Sequence, residues 1–325
     1  TRPLEVRGHA LRVGCSVGVA VYPFQAHDEE SLLRHADLAM YHAKESGGTR
    51  HQLFSEQMNA RAVERMTVES ELRAAIAAGQ LELHYQPQLC LEDRSLAGME
   101  ALVRWRHPRL GLLAPGRFVP LAEDCGLIWE LGLAVMDLAV AQLAAWDRAG
   151  LQVPRIAVNV SPAQLRPELV ERIAEILERH GVDACRLEIE LTESALTADG
   201  PAANGLLQAL RRMGASIAID DFGVGFSSLT LLRRLPISAL KIDRSFVAEL
   251  ASNRQDAAIV EAILRMAHSV GLRTVAEGVE HAEQQAALGV LGCQEGQGYL
   301  FARPLDVAAA NSWLARQASG GLAVA

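Results

Sequence analysis

Seven apolar, β-branched runs in this chain end on a side chain that can hold a proton, a phosphate or a metal ion. Glu100 follows "AGM", and Asn159 follows "RIAV". Glu190 and Glu193 sit in "RLEIELTES", Asp220 and Asp221 in "SIAIDDFG", and Lys241 and Asp243 in "ALKIDRSF". Glu277 and Glu280 end "LRTVAEGVE", and Gln297 lies in "GCQEGQGYLF". Singly, such residues are ordinary: a strand-end acid or amide caps a helix or forms a turn, and a lysine beside apolar residues snorkels to water. Jointly they repeat carboxylates and amides at the same depth of successive runs, with one lysine among them. Solvated loops impose no such phase, and a structural ion-pair network would need more cations.

Carboxylate and amide oxygens, with no Cys and no His at the run ends, suit Mg2+, Mn2+ or Ca2+ rather than zinc or copper. His84 and His107 lie on the first run and after the second, and read as core or surface histidines. So many anions fit two cations about 3.5–4 Å apart. A metal pair also accounts for the adjacent Asp220 and Asp221, which repel each other and are costly to bury uncompensated. Two dications acidify a bound water and clamp both oxygens of an in-line displacement at phosphorus. Lys241 then fits as a point charge that orients the water or stabilises developing negative charge. The loop "DDFGVGFSSL" carries Gly223 and Gly225 for unusual backbone angles, and Ser227 and Ser228 for hydrogen bonding. It reads either as a movable lid or as an ordinary βα loop with an N-cap serine.

These residues need a scaffold that brings run ends to one place. Strand-like runs lie at 81–89, 96–105, 155–162, 186–194, 216–223, 239–246, 272–280 and 292–301, separated mostly by helical stretches at 117–149, 166–180, 200–213, 254–270 and 281–288. This α/β alternation predicts a (β/α)8 TIM-like barrel, whose C-terminal strand ends converge on one mouth. The first two runs are joined by the short "CLEDRSLAG" rather than by a helix, so one strand is expected to run antiparallel. An open doubly wound sheet is the alternative architecture.

Ahead of the barrel, residues 1–54 hold one strand-like run, 11–23, and one helix. Asp28 is its expected cap, Leu32, Leu33, Ala36, Ala39, Met40 and Ala43 its apolar stripe, and Gly47-Gly48 its stop. That is too little for a core of its own. Residues 55–79 read as a connector helix, 80–316 as the barrel and 317–325 as a flexible tail.

The 325 residues carry a net charge of −8, which argues against DNA or RNA as a partner but allows a small phosphorylated ligand neutralised by metals. Five scattered cysteines without a C-x-x-C pair fit a reduced, cytoplasmic setting. The most apolar stretch, 131–146, is interrupted by Asp137 and Gln142 and falls short of the ~20 residues that span a bilayer. It is expected to be a core-facing helix, with no membrane segment in this stretch of chain, which is compatible with a membrane tether elsewhere in the full-length protein.

The motifs "EALVRW" (100–105), "NVS", "ELTE", "DDFG", "KID", "AEGVE" and "QGYLF", in that order, resemble the EAL-domain family of cyclic-di-GMP phosphodiesterases over about 72–315. Separately, "CSVGVAVYP" and "LLRHADLAMYHAKESGGTR" resemble the C-terminal end of a GGDEF-type diguanylate cyclase domain, without that family's signature loop. The resemblance implies hydrolysis of cyclic-di-GMP to linear pGpG with two Mg2+ or Mn2+ ions, Ca2+ being inhibitory. It implies Glu100, Asn159, Glu190, Asp220 and Asp221 as metal ligands, and Glu277 and Gln297 as further metal- or water-linked residues. Lys241 becomes the lysine of the catalytic water, Glu193 the brace of the DDFG loop, and Asp243 and Glu280 supporting acids. Arg104 would grip a substrate phosphate, and Gln86 of "YQP" would contact substrate. A homodimer, paired through the helix after the DDFG loop, is also implied. Val224 and Phe226 depart from the usual loop pattern at non-ligand positions. The alternative is a catalytically silent cyclic-di-GMP receptor signalling through the connector helix; a third reading, a sugar-phosphate barrel, would require a Gly-rich phosphate loop near the last strands.

Overall fold

A computed structural model of the chain describes residues 4–6, 9–11, 14–45, 51–193, 200–223 and 235–318. The chain divides into two compact units, Thr1–Leu72 and Arg73–Ala325.

In the first unit, β1 (Leu4–Val6) and β2 (His9–Leu11) form an antiparallel hairpin. β3 (Val17–Val19) pairs in parallel with β4 (His51–Leu53), and the helix Glu29–Glu45 lies between them in sequence. Asp28 caps this helix as expected, its Oδ1 accepting from Ser31 N–H at 2.7 Å. Gly18 is required by the packing: a β-carbon there would stand 1.9 Å from Ala36 O on the helix. Of the predicted run 11–23, β3 holds Val17–Val19 and β2 reaches only its first residue, Leu11. β4 was not anticipated, because "HQL" offers three residues and one apolar side chain. The Gly47-Gly48 stop lies outside the described residues. The helix Glu56–Ala77 occupies the predicted connector.

The second unit is the barrel. Its strands are β5 (Leu81–Cys90), β6 (Leu96–His107), β8 (Ile156–Asn159), β9 (Leu187–Thr192), β10 (Ser216–Phe222), β11 (Ala239–Ile242), β12 (Arg273–Ala276) and β13 (Glu295–Gln297). Each falls within one of the eight predicted runs or within a residue or two of it. The order β5-β13-β12-β11-β10-β9-β8-β6 closes through a β5–β6 pairing, and β7 (Gly111–Leu113) adds to the outside of β6. β5 runs antiparallel to both its neighbours, from Leu81 opposite Trp105 to Cys90 opposite Glu295. The short 91–95 link makes that hairpin, with Arg94 at φ +58° and Ser95 N–H donating to Asp93 Oδ1 at 2.9 Å. The strands from β6 round to β13 are parallel and largely buried where they pair, as strands covered on both faces must be, while β7 runs antiparallel to β6. A doubly wound sheet is excluded by the closure.

The predicted 117–149 helix is broken. A helix at Val119–Asp124 stops before Gly126, whose φ is +75°, and a second runs Ile128–Arg148. The second helix is long and apolar enough to cross a membrane by length and composition alone. In this fold it buries Leu131, Val135, Met136, Ala139, Val140 and Leu143 and turns Asp137 outward to Arg179, at 2.9 Å. That is the core-facing role predicted for 131–146.

Candidate functional site

Side chains two apart on a strand share a face, so each parallel strand can present an inward position towards the barrel mouth. On β6 this is Glu100, opposite Gln86 of β5. Asn159 ends β8 opposite Glu190 of β9. Asp220 lies near the end of β10, Lys241 is on β11, Glu277 follows β12 and Gln297 ends β13. Gln86, Glu100, Glu190, Lys241 and Gln297 are buried, and Lys241 is fully so.

Lys241 is the hub. Its Nζ lies 2.6 Å from Glu277 Oε1, 2.8 Å from Glu190 Oε2, 3.2 Å from Asp220 Oδ1 and 3.8 Å from Glu100 Oε2. Four carboxylates from four strands therefore converge on one ammonium. Glu100 also accepts from Asn159 Nδ2 at 2.7 Å and from Gln297 Nε2. Gln297 Nε2 donates in addition to Gln86 Oε1 at 3.0 Å.

The electrostatics follow from this crowding. Burial would draw the Lys241 ammonium down, but Glu100, Glu190, Glu277 and Asp220 hold it charged, well above its ordinary range. Burial and then the neighbouring Glu100 charge push Glu190 well above the ordinary carboxylate range. Burial pushes Glu277 up to about 8, with Lys241 opposing and Asp220 adding to the rise. Burial raises Glu100 too, but Lys241 and the amides of Gln297 and Asn159 outweigh it and hold Glu100 below its ordinary value. The site thus holds more carboxyls than one lysine can keep ionised, and Glu190 and Glu277 retain their protons above the ordinary carboxylate range.

Asp221 stands beside this ring with φ +53°, a conformation uncommon outside glycine and typical of strained functional positions. Its N–H donates to Asp220 Oδ1 at 3.0 Å. Burial, then the charges of Asp220 and Asp243, raise its carboxyl. Asp220, Asp221 and Glu277 each bring an oxygen within 4.8 Å of one another. An all-oxygen donor set of under-neutralised acids, with no thiolate or imidazole in it, fits hard divalent cations.

The other predicted residues lie around this centre. Glu193 is buried, and its Oε2 accepts from Gly223 N–H at 3.3 Å, tying the end of β9 to the start of the DDFG loop. Asp243 caps the helix Arg244–Ala248 through Ser245 N–H at 3.0 Å. Glu280 is exposed and lines the cleft above the ring. Arg104 is half-buried on β6, and its Nη1 donates to Val103 O at 2.9 Å. The predicted loop residues Val224, Gly225, Phe226, Ser227 and Ser228, and the helix that the resemblance implied for dimer pairing, lie outside the described residues.

A cleft of about 800 Å3 opens over the ring, within the range of small-molecule sites. Gln86, Glu100, Asn159, Asp220, Glu277 and Gln297 form part of its polar wall. Val103, Ile128, Leu131 and Val135 form an apolar one. Sequence reasoning missed two features here. Tyr299, stacked under Arg303 with the guanidinium 4.2 Å from the ring centroid, lines the cleft. Gln88 lies under the ring and donates to Glu190 at 3.4 Å and to Gln297 at 3.0 Å. The period-two spacing of Gln86 and Gln88 was its available signal.

A family model described as EAL domain matches residues 69–304, and one described as diguanylate cyclase, GGDEF domain, matches residues 1–50. The chain is 43% identical over 306 residues to MucR of Pseudomonas aeruginosa, a bifunctional diguanylate cyclase/cyclic di-GMP phosphodiesterase, covering 94% of this chain and 45% of MucR. It is 45% identical over 313 residues to the cyclic di-GMP phosphodiesterase NbdA of the same organism, covering 96% of this chain and 40% of NbdA. This chain therefore spans less than half the length of either relative. A solved structure of the MucR phosphodiesterase in complex with c-di-GMP superposes with a TM-score of 0.71 at 45% identity, covering 74% of this chain and 98% of that one.

Proposed function

The chain belongs to the EAL-domain family, and on that premise we propose that its barrel is a metal-dependent phosphodiesterase converting cyclic-di-GMP to linear pGpG. The observation that carries this reading is the convergence of Glu100, Glu190, Asp220 and Glu277 on Lys241 beneath an open cleft. MucR and NbdA, both named as cyclic di-GMP phosphodiesterases, support the substrate.

Glu100, Asn159, Glu190, Asp220, Asp221 and Glu277 would hold Mg2+ or Mn2+, two ions per site, with Ca2+ inhibitory. When bound, these ions supply an acidified water and charge neutralisation at the scissile phosphate. The protein's own groups do the rest. Lys241, kept charged by its carboxylates, would orient the attacking water and stabilise charge developing on the phosphate. Asn159 holds Glu100 by its 2.7 Å hydrogen bond. Glu193 fixes the start of the DDFG loop through Gly223. Asp243 and Glu280 support the surrounding turns. Arg104 grips a substrate phosphate and Gln86 contacts the ligand at the cleft floor. Residues 80–316 form the catalytic unit, 1–54 a GGDEF-type fragment, 55–79 the connector and 317–325 a tail. The active species is a homodimer acting in the cytoplasm.

The test is turnover. The purified chain, given cyclic-di-GMP with Mg2+ or Mn2+, is expected to release pGpG, followed by chromatography, and to stop in EDTA. Binding without pGpG would assign a receptor instead. Absence of both binding and turnover would remove the reading.

A further inference from the structure

A file of hydrogen bonds crosses the barrel interior below the carboxylate ring, with side branches from Gln88 Nε2 to Glu190 Oε1 at 3.4 Å and from Gln297 Nε2 to Gln86 Oε1 at 3.0 Å. Arg155 Nη2 donates to Gln88 Oε1 at 2.8 Å, and Gln88 Nε2 donates to Gln297 Oε1 at 3.0 Å. Gln297 Nε2 then donates to Glu100 Oε2. Gln88 is fully buried and Gln297 nearly so.

A carboxamide turned end for end has almost the same shape, so its direction is fixed by its partners. Here both ends of the file are unambiguous. A guanidinium only donates, and an ionised carboxylate only accepts. Reversing Gln88 would set its NH2 against the Arg155 N–H. Reversing Gln297 would set its carbonyl against the Glu100 carboxylate and its NH2 against that of Gln88. Only one direction satisfies every link, from Arg155 through Gln88 and Gln297 to Glu100.

Arg155 is itself held firmly. Its Nε lies 3.2 Å from Glu188 Oε1 and its Nη2 2.5 Å from Glu295 Oε2. Arg273 pairs with the same two acids. Gly98 leaves the room this requires, since a β-carbon there would meet Arg155 Cγ at 2.7 Å. At the far end, Glu100 receives Asn159 on Oε1 and Gln297 on Oε2, so each of its oxygens is oriented by an amide donor.

We propose that Gln88 is a positioning residue: anchored by Arg155, it locks the Gln297 carboxamide with its N–H toward Glu100. Gln297 then acts as the donor that orients Glu100, and not as a metal ligand, one of the two roles the family resemblance implied for it. The proposal rests on the reading of the ring as a divalent-metal site and deepens it.

The test is direct Mn2+ binding, read by the electron-spin signal of the free ion, on wild type, Gln88→Met, Gln297→Met and the double variant. Loss of an outer-shell partner weakens metal binding about 10–100-fold. Each single variant is expected to weaken Mn2+ at least about ten-fold, and the double variant no further than the weaker single. Raising Mn2+ should restore the Gln88→Met turnover, which a packing defect would not allow. Were Gln297 a ligand through its carbonyl, Gln88→Met would free it to ligate, and affinity would hold or rise; that result overturns the proposal, as would multiplicative losses. A second measurement needs no folded Gln88 variant. In wild type labelled with 15N-glutamine, the Gln297 side-chain amide protons should stay protected from exchange when Mg2+ is added, and loss of protection would overturn the proposal. A wild-type chain that takes up no Mn2+ would remove the metal reading, and this proposal with it.

Discussion

Lys241 Nζ stands 2.8 Å from Glu190 Oε2, joining fully buried side chains of β11 and β9 across the intervening β10. A buried ion pair is weak evidence of net stabilisation, because desolvation offsets much of the attraction. Removing one partner is another matter, for it strands the other charge. Lys241→Met would strand four acids at once. In EDTA this variant is expected to lose about 3–5 kcal/mol of unfolding free energy by denaturant titration. Added Mg2+ should return part of the loss without restoring pGpG release. Unchanged stability in EDTA would show that Lys241 is not the neutralising hub.

The acids predict how stability depends on pH. Glu277 is pushed from 4.5 to about 8, and Glu190 is raised as well. A carboxyl whose folded pKa lies above its unfolded one holds more protons in the folded state between those values. Stability therefore falls as pH rises through that window, and the penalty is complete above it. The thermal midpoint of the metal-free protein should decline from about pH 5 to about pH 8. Mg2+ should flatten the decline, so the gap between metal-loaded and EDTA samples widens with pH. Glu277→Gln should flatten it without metal. An EDTA midpoint that rises across this window would contradict the assignment.

Why these acids were legible in the sequence is a matter of period and position. Glu100, Glu190, Asp220, Lys241 and Glu277 each follow apolar residues on strands the pattern located, and barrel geometry brings such ends together. The antiparallel β5 was legible from the absence of a helix between 90 and 96. The layer beneath was not. Gln88, Arg155, Glu188 and Glu295 look like scattered polar residues until register places them together, because a buried polar network is defined by partners far apart in sequence. β4 and β7 escaped because three residues carry no period, and the break at Gly126 escaped because apolar residues continue on both sides of it.

Glu193 should behave as a brace. Its Oε2 receives Gly223 N–H, and it makes no contact with Lys241 among the described ones. Glu193→Gln keeps an acceptor oxygen and should retain most activity. Glu193→Ala leaves that N–H without its side-chain partner and should lower kcat about 10–100-fold, the usual scale for an outer-shell group. Equal rates for the two variants would deny Glu193 this role.

Gly298 couples the two last strand ends. A β-carbon there would stand 2.1 Å from Val279 O and 2.3 Å from Val279 N. Those atoms are engaged: Val279 N–H donates to Gln297 O at 3.0 Å, and Val279 O accepts from Leu300 N–H at 2.9 Å. Since the contact is with backbone, no side chain can swing away to relieve it. Gly298→Ala must then part the turn that carries Glu277 from the strand that carries Gln297. The expected cost is about 1–3 kcal/mol, as for other overpacked sites, together with a fall in pGpG release larger than that loss of folded protein explains. Gly289→Ala is the matched control. It lies in the helix Ala282–Val290 with nothing within 4 Å of the added carbon, and should gain roughly 0.5–1 kcal/mol from helix propensity while leaving activity unchanged. Comparable activity in the two variants would mean that the Val279–Gly298 approach does not hold the site together.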